Sequence, residues 1–468
     1  MVFSSPVFLF LFLPLCIITY FIVSIFKNQK ANNICLLIFS IMFYAYGSFD
    51  FLPILLISIV INYYLSQTYS RLRIKKKKKL YFIISIVFNV LLLFVYKYLN
   101  LFSGLLLGVE HATKIRLPIG ISFYTFQVIS YHIDVYRKTV KRSDSVIDFS
   151  LFAMLFPQLI AGPIVRYSDI VDRLKKRTTN LDNISSGLIR FMVGFSKKIL
   201  FANALGNIAD IAFGNLDKYV LGFALSVFCI ICYTIQVYLD FSAYSDMAIG
   251  IGMIFGFEFP ENFNQPFSSR SLTEFWKRWH ITLSSFFRDY VYKPLGGSRK
   301  GLFRTCINLI IVFALSGFWH GANFNYLIWG LYNGLFLAIE RVITTKIKFR
   351  FDKSILLIYA NIVWVIGMIL FRFDNFNTFL LYINGLFSAP KLNYNTRWLL
   401  QEIFNPYFYA CFIISILYLT PFFDKIYCTF LKTRFGTVVI YVVVILTFVY
   451  GIMEMLTNGF NPFIYFRF

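Results

Sequence analysis

The chain contains 468 residues, of which 58% are hydrophobic and 20% aromatic, and its mean hydropathy is +0.68. These values exclude a soluble globular domain and predict a membrane protein with several transmembrane segments. The net charge of +23 does not require a nucleic-acid partner, because Lys and Arg concentrate in short loops, as they do on the cytoplasmic side of membrane proteins.

Apolar runs long enough to cross a hydrocarbon core of about 30 Å recur along the chain. They predict an all-α polytopic protein with about eleven transmembrane helices, at residues 7–26, 33–49, 51–65, 80–107, 188–213, 220–239, 308–324, 327–343, 355–371, 406–422 and 437–455. The first run lacks a basic segment before it, exceeds a signal-peptide core in length and has no small-residue cleavage site after it, so we expect it to remain as a helix. The basic loops place both termini outside the cytoplasm. Because the polar stretches are short, we expect one membrane domain, residues 1–468.

The segment at residues 149–165 lies between two basic clusters and is interrupted by Pro157, Gly162 and Pro163. With both flanks on the cytoplasmic side, we expect it to enter the membrane and return. Non-helical backbone at membrane depth must be covered by protein or line a wet cavity. The segment therefore predicts a cavity.

Residues 257–297 are too charged to span the membrane and too aromatic for a free loop. Within them we predict a helix at residues 271–290 that lies at the membrane interface and carries an ion pair between Glu274 and Arg278. The motif on this helix consists of two tryptophans, two cations and a histidine: Trp276, Lys277, Arg278, Trp279 and His280. This combination suits a phosphorylated, adenine-bearing donor from the cytoplasm. The alternative is an ordinary interfacial anchor.

His320 lies in a membrane-length run without formal charge, directly after Trp319. An ionisable residue in such a run is a functional hypothesis, because its burial is costly. A neutral imidazole there can take the proton of a hydroxyl that attacks an acyl group. We expect Ser316 and Asn323, each one helical turn away, to orient the ring or bind an oxyanion. An equally good interpretation is that His320 only forms a hydrogen bond to a neighbouring helix and stabilises the bundle.

The other polar candidates carry weaker signals. We expect His111 to be a surface residue and His132 a hydrogen-bonded structural one. Asp240 and Asp246 suit either a proton relay or ion pairs with the nearest cations in sequence, Arg270, Lys277 and Arg278. The seven cysteines have neither disulfide spacing nor histidine partners, so they predict small core residues and no metal site.

Taken together, these motifs resemble the membrane-bound O-acyltransferase superfamily, and within it the bacterial branch that includes the membrane subunit of alginate O-acetylation. The resemblance spans the chain, at residues 1–5, 117–124, 157–163, 240–250, 257–264, 274–284, 288–290, 294–297, 317–322 and 462–468.

The resemblance implies a helical bundle around a central tunnel. His320 matches the position regarded as catalytic in the family, and His280 matches its second characteristic histidine. It also implies that acetyl-coenzyme A is the donor, a substrate rather than a cofactor, and that an extracytoplasmic polysaccharide is the acceptor. Members of this branch typically use a separate extracytoplasmic partner with an SGNH-type fold and a Ser-His-Asp site.

Two alternatives stay open. Relatives that transfer D-alanine to teichoic acid share the histidine motifs, but they tend to lack the Met-Val-Phe-Ser-Ser opening and the Pro-Leu-Gly-Gly motif found here. A transporter or flippase of a lipid-linked sugar is expected to show inverted repeats, and none is visible in the sequence. We therefore favour acetyl transfer.

Overall fold

The fold of the described residues is α-helical. The computed structural model describes residues 1–108, 113, 115–214, 216–346, 352–373, 375–391, 397, 400–401, 404–457 and 463. Within these residues there is no β-strand, only one isolated antiparallel bridge between Val220 and Lys391. His111 and all but one residue of the motif at 462–468 lie outside the described part of the chain.

The helices are numbered here in the order in which they occur along the chain. In chain order they are α1 (Leu13–Ser24), α2 (Gln29–Ser48), α3 (Leu52–Arg71), α4 (Lys75–Leu93), α5 (Leu99–Leu107), α6 (Ile121–Arg137), α7 (Val146–Met154), α8 (Phe156–Leu159), α9 (Tyr167–Lys175), α10 (Leu181–Ser196), α11 (Asn203–Gly214), α12 (Gly222–Ile254), α13 (Leu272–Arg278), α14 (Ile281–Phe287), α15 (Leu302–His320), α16 (Phe324–Lys346), α17 (Lys353–Arg372), α18 (Phe376–Leu386), α19 (Pro406–Tyr418), α20 (Phe422–Phe430) and α21 (Arg434–Thr457). Single π-helical turns lie at Phe8–Phe12, Phe94–Tyr98, Lys197–Ala202 and Arg288–Tyr292.

Seven helices among the described residues are long and apolar enough to cross a membrane, or eight if the bent pair Pro406–Tyr418 and Phe422–Phe430 is one span. The polytopic all-α prediction is confirmed, but the number of about eleven is not. The first run yields a helix of fewer than 18 residues, Phe8–Ser24. The second and third runs fall in one helical stretch, Gln29–Arg71, and the run at 188–213 is divided by the π-helical turn Lys197–Ala202.

The chain forms two compact units. The first contains Met1–Phe191 and Tyr244–Glu261, and the second contains Met192–Ala243 and the described part of Asn262–Ile464. The single domain over residues 1–468 stays a prediction.

The segment at residues 149–165 lies in the first unit and is broken, as predicted. Helices α7 and α8 contain nine and four residues, too few to span a bilayer. Residues 151–165 are all buried, and the Gln158 side chain donates to the carbonyl oxygen of Phe152. The backbone of Gly120 has a φ of +73°, and a Cβ atom there would meet the carbonyl of Leu159. Entry of the segment into the membrane stays a prediction.

His132, also in the first unit, is a hydrogen-bonded buried residue, as predicted. Its Nε2 atom lies 2.9 Å from Oδ1 of Asn62, and its Nδ1 atom lies 3.2 Å from the hydroxyl of Tyr69. Both ring nitrogens of His132 therefore take part in hydrogen bonds within the protein.

The two acidic residues of α12 pair with different cations from those expected. In the first unit, Arg190 bonds Asp246 with an Nη2–Oδ1 distance of 3.0 Å and also binds Glu261. In the second unit, Asp240 pairs with Lys198, and both side chains are buried. The predicted pairing with Arg270, Lys277 or Arg278 is wrong, because the partners lie on α10 and its π-helical extension rather than nearby in sequence.

Candidate active site

The hairpin of α15 and α16, in the second unit, positions His320. The two helices pack backbone to backbone through Gly317, Gly330 and Gly334. A Cβ atom on Gly334 would lie 2.9 Å from the Cα atom of Ile310, and one on Gly317 would meet the carbonyl oxygen of Tyr326. Small residues permit such close approach of membrane helices. His320, at the C-terminal end of α15, is thereby brought against α16.

Helix α15 ends at His320 itself. The next residue, Gly321, is extended, and a Cβ atom there would collide with the ring of Tyr326. Ser316 lies one turn before His320 on the same helix, as predicted. Asn323 does not continue that helix, so its predicted position one turn beyond His320 is wrong. Its Oδ1 atom instead accepts a hydrogen bond of 3.3 Å from the backbone N–H of Asn325, in the first turn of α16.

The imidazole of His320 is enclosed by aromatic rings and is only 2% exposed. Its ring centroid lies 4.9 Å from that of Trp319, 5.2 Å from that of Trp329 and 5.6 Å from that of Phe371. All three contacts are edge-to-face. Aromatic side chains therefore exclude most of the solvent from this ring.

His280 interrupts the predicted interfacial helix. Helix α13 ends at Arg278 and α14 begins at Ile281, while His280 adopts a left-handed backbone with a φ of +43°. The single helix at residues 271–290 is therefore wrong, although the ion pair within it is confirmed, with an Arg278 Nη2 to Glu274 Oε1 distance of 2.7 Å.

The two histidines contact the same indole. The ring centroid of Trp319 lies 6.2 Å from that of His280 and 4.9 Å from that of His320. His280 is fully buried, and its pKa lies well below the ordinary value because burial, and then the proximity of His320, disfavour a second positive charge. The structure thus brings together both histidines that the sequence singled out, with His280 neutral.

Trp276 and Trp279 are buried in an aromatic cluster rather than presented to solvent. Trp276 donates from Nε1 to Oδ1 of Asn333 at 3.3 Å and packs on Trp329. The ring of Trp279 lies 4.8 Å from that of Trp364. Both side chains are thus packed against other aromatic rings, and the cluster forms one wall of the candidate site.

A cavity of about 340 Å³ lies beside this wall, also in the second unit. Its lining is mostly apolar, with Trp276 and Ser316 on the wall and two cationic residues, Lys277 and Arg288. The other predicted site residues are not part of the lining: Arg278, Trp279, His280, Trp319, His320 and Asn323. The cavity is a candidate path toward His320, because Ser316 precedes that residue by one helical turn. The central tunnel implied by the resemblance stays a prediction.

The cations around the cavity differ in how they are paired. Lys277 is exposed and has no ion pair within the described part of the chain. Arg278 is held by Glu274. Arg288, which sequence reasoning did not assign to the site, lines the cavity while it bonds the neighbouring Asp289. Its only sequence signal was the Arg-Asp-Tyr motif at residues 288–290.

A buried histidine, a wall of aromatic rings and an adjoining cavity in a helical membrane protein make this region the candidate acyl-transfer site. The sequence matches the membrane-bound O-acyltransferase family over residues 38–374, so the chain belongs to that family and is an O-acyltransferase.

Individual relatives refine this assignment. The chain is 36% identical to the probable alginate O-acetylase AlgI of Pseudomonas putida strain KT2440 over an alignment that covers 100% of both proteins. It is 35% identical to the peptidoglycan O-acetyltransferase of Helicobacter pylori strain 26695, over 82% of this chain and 80% of the relative. It is 30% identical to the teichoic acid D-alanyltransferase of Bacillus subtilis strain 168, over 47% of this chain and 58% of the relative.

Proposed function

We propose that this O-acyltransferase moves acetyl groups from acetyl-coenzyme A in the cytoplasm to hydroxyl groups of a polysaccharide outside the cytoplasmic membrane. The observation that carries the proposal is the position of His320, a buried imidazole one helical turn from the cavity wall. The two most extensively aligned kinds of relative are named as O-acetylating proteins, which supports acetate as the transferred group.

The chemistry requires one proton acceptor. As the hydroxyl oxygen of the acceptor attacks the thioester carbonyl, the new C–O bond forms and the hydroxyl proton passes to His320. When the C–S bond breaks, the leaving sulfur takes that proton, which restores the neutral ring. The cycle thus begins and ends with the same neutral imidazole, and no proton is gained or lost overall.

The volume and the charged lining residues of the cavity support acetyl-coenzyme A as the donor. A volume of about 340 Å³ lies at the small end of ligand sites, so it accommodates the acyl-bearing arm of coenzyme A rather than the nucleotide. Lys277 and Arg288 on the lining supply positive charge for the phosphates. Of the cations in the sequence motif, Lys277 supports the donor role more directly than Arg278, whose guanidinium is bonded to Glu274.

The partner and the membrane orientation belong to the same proposal. We propose an SGNH-type partner outside the membrane that receives the acetyl group and passes it to the polysaccharide, as the resemblance implies. Termini outside the cytoplasm fit the basic loops at Lys27, Lys30 and residues 71–79.

The test is mass analysis of the surface polymer from a deletion strain complemented with wild type, His320→Ala or the control Cys428→Ser, at an exposed position. We expect His320→Ala to abolish acetylation while the amount of exported polymer and of protein in the membrane stays normal. Lost export with normal acetyl content per sugar would instead show a transporter.

D-alanyl transfer is the second candidate, supported by the alignment with the Bacillus subtilis relative. The identity in that alignment is lower than in those with the acetylating relatives, 30% against 36% and 35%. The same mass analysis separates the two, since an acetyl ester and an alanyl ester add different masses.

A further inference from the structure

Asn262, a fully buried residue that follows α12, holds the backbone around His280. Its carbonyl oxygen accepts from the backbone N–H of Ile281 at 2.9 Å. Its side-chain Oδ1 atom is 2.9 Å from the hydroxyl of Thr282 and 3.4 Å from the backbone nitrogen of that residue. On the other side of His280, the backbone N–H of Asn264 donates to the carbonyl of Arg278 at 2.9 Å.

These bonds explain the backbone of His280. A non-glycine residue with positive φ is strained and persists only where its surroundings enforce it, often at functional sites. Bonds from residues 262 and 264 to residues 278, 281 and 282 clamp the chain on both sides of the strained position. The imidazole ring and the ring of Phe241 make an edge-to-face contact, with centroids 4.7 Å apart.

The same residue identifies the tautomer of His280. Nδ1 of His280 lies 3.1 Å from Oδ1 of Asn262. This amide atom must be the oxygen, because it also faces the backbone N–H of Thr282, and the alternative amide orientation would bring two donors together. An oxygen only accepts, so Nδ1 carries the proton and donates it. Nε2 then holds a lone pair.

Nε2 of His280 is buried and has no hydrogen-bond partner among the described residues. A buried acceptor without a partner is costly and needs an explanation. The reaction supplies suitable donors, since the acceptor carries hydroxyl groups and the coenzyme A arm carries amide N–H groups.

We propose that Asn262 is a positioning residue that fixes His280 as the Nδ1–H tautomer, so that Nε2 accepts a hydrogen bond from an O–H or N–H group of a bound substrate. The substrate identity rests on the proposed function; the tautomer does not. His280 thus orients a reactant, while His320 exchanges the proton.

The test uses nitrogen NMR of the full chain with labelled histidine, in detergent. The chain has only four histidines, and His280→Gln assigns the signals of this one. We expect the wild-type protein to show a protonated Nδ1 and an unprotonated Nε2. A protonated Nε2, or a positively charged ring, would overturn the proposal, and this measurement needs no variant of Asn262 to fold.

Two substitutions of Asn262 extend the test. Asn262→Leu keeps the shape but removes the acceptor, so we expect mixed tautomers and a loss of about tenfold in kcat/KM, the scale of one hydrogen bond. Asn262→Asp keeps an acceptor oxygen and should preserve the Nδ1 proton. An Asn262→Leu protein with the wild-type spectrum and activity would contradict the positioning role.

The control is Asn308→Leu, which removes another fully buried amide of the second unit, one that donates to the carbonyl of Gly297 at 3.0 Å. It should leave the His280 signals unchanged. A raised KM for acetyl-coenzyme A in Asn262→Leu identifies the donor as the partner of Nε2, and a raised KM for the polysaccharide or its carrier identifies the acceptor. If His320→Ala retains acetylation, the proposed function fails whichever tautomer is found.

Discussion

The backbones of Gly317 and Gly330 are in direct contact. A Cβ atom on Gly317 would lie 2.9 Å from the Cα atom of Gly330, and a Cβ atom on Gly330 would lie 3.0 Å from the Cα atom of Gly317. His320 follows the first glycine by three residues and Trp329 precedes the second by one. This glycine contact therefore determines how closely the candidate catalytic imidazole approaches its aromatic wall.

Gly317→Ala should damage both stability and acetyl transfer. The added methyl group meets backbone atoms that cannot rotate away, and overpacking of this kind costs about 1–3 kcal/mol. We expect a lower midpoint of thermal unfolding in detergent and a loss of polymer acetylation. Gly214→Ala is the matched control, because a Cβ atom there meets nothing within 4 Å. Wild-type values for Gly317→Ala would contradict the close packing of α15 and α16.

Lys277→Gln should weaken donor binding more than Arg278→Gln. Lys277 lines the cavity, while Arg278 is bonded to Glu274. We expect the KM for acetyl-coenzyme A to rise several-fold in the Lys277 variant, and more at low ionic strength, where exposed charges act over a longer range. Steady-state kinetics of the two purified variants at two salt concentrations measure this. A larger effect for Arg278→Gln would contradict this prediction and would indicate that Arg278, rather than Lys277, contacts the donor.

Ser316→Leu should block the cavity. Ser316 lies on the lining, and a leucine there extends into the space assigned to the acyl-bearing arm. We expect acetylation to fall by about tenfold or more, on the scale of one or two misplaced methylenes in a pocket, whereas Ser316→Ala should lose less. Acetyl content of the polymer measures both. Full activity of Ser316→Leu would show that the donor does not occupy this cavity.

Lys198→Met should destabilise the protein strongly. The ammonium of Lys198 pairs with Asp240, and both side chains are buried. Removal of one member of a buried ion pair typically costs about 3–5 kcal/mol, whereas replacement of both by apolar residues is often tolerated. We expect the double variant Lys198→Met/Asp240→Leu to recover much of the thermal stability lost in the single variant. Equal midpoints for single and double variants would contradict a direct pair.

Local patterns predicted much of the architecture but not its interruptions. The periodic placement of Glu274 and Arg278 correctly predicted an ion pair on one helical face. The break two residues later was not predictable, because His280 is held in its left-handed conformation by Asn262, eighteen residues earlier in the chain. Likewise, the sequence predicted a further helical turn after His320, but α15 ends at His320 and Gly321 lies against the ring of Tyr326.

For the polar residues too, local sequence patterns identified the candidates but not their partners from distant parts of the chain. An uncharged run around His320 was enough to single that residue out, and its burial agrees. The partners of Asp240 and Asp246 could not be found by proximity in sequence, because Lys198 and Arg190 lie more than forty residues upstream. The Arg-Asp-Tyr motif marked Arg288 but did not place it at the cavity, since that position depends on how the π-helical turn Arg288–Tyr292 packs against α15.

Five of the six tryptophans of the chain belong to one connected cluster of rings that includes both histidines, and the sixth, Trp398, lies outside the described residues. The ultraviolet emission of these five residues therefore originates at the candidate active site. Ligand binding there can be followed optically without a dye, and in a protein in which Trp398 is substituted only the cluster would emit.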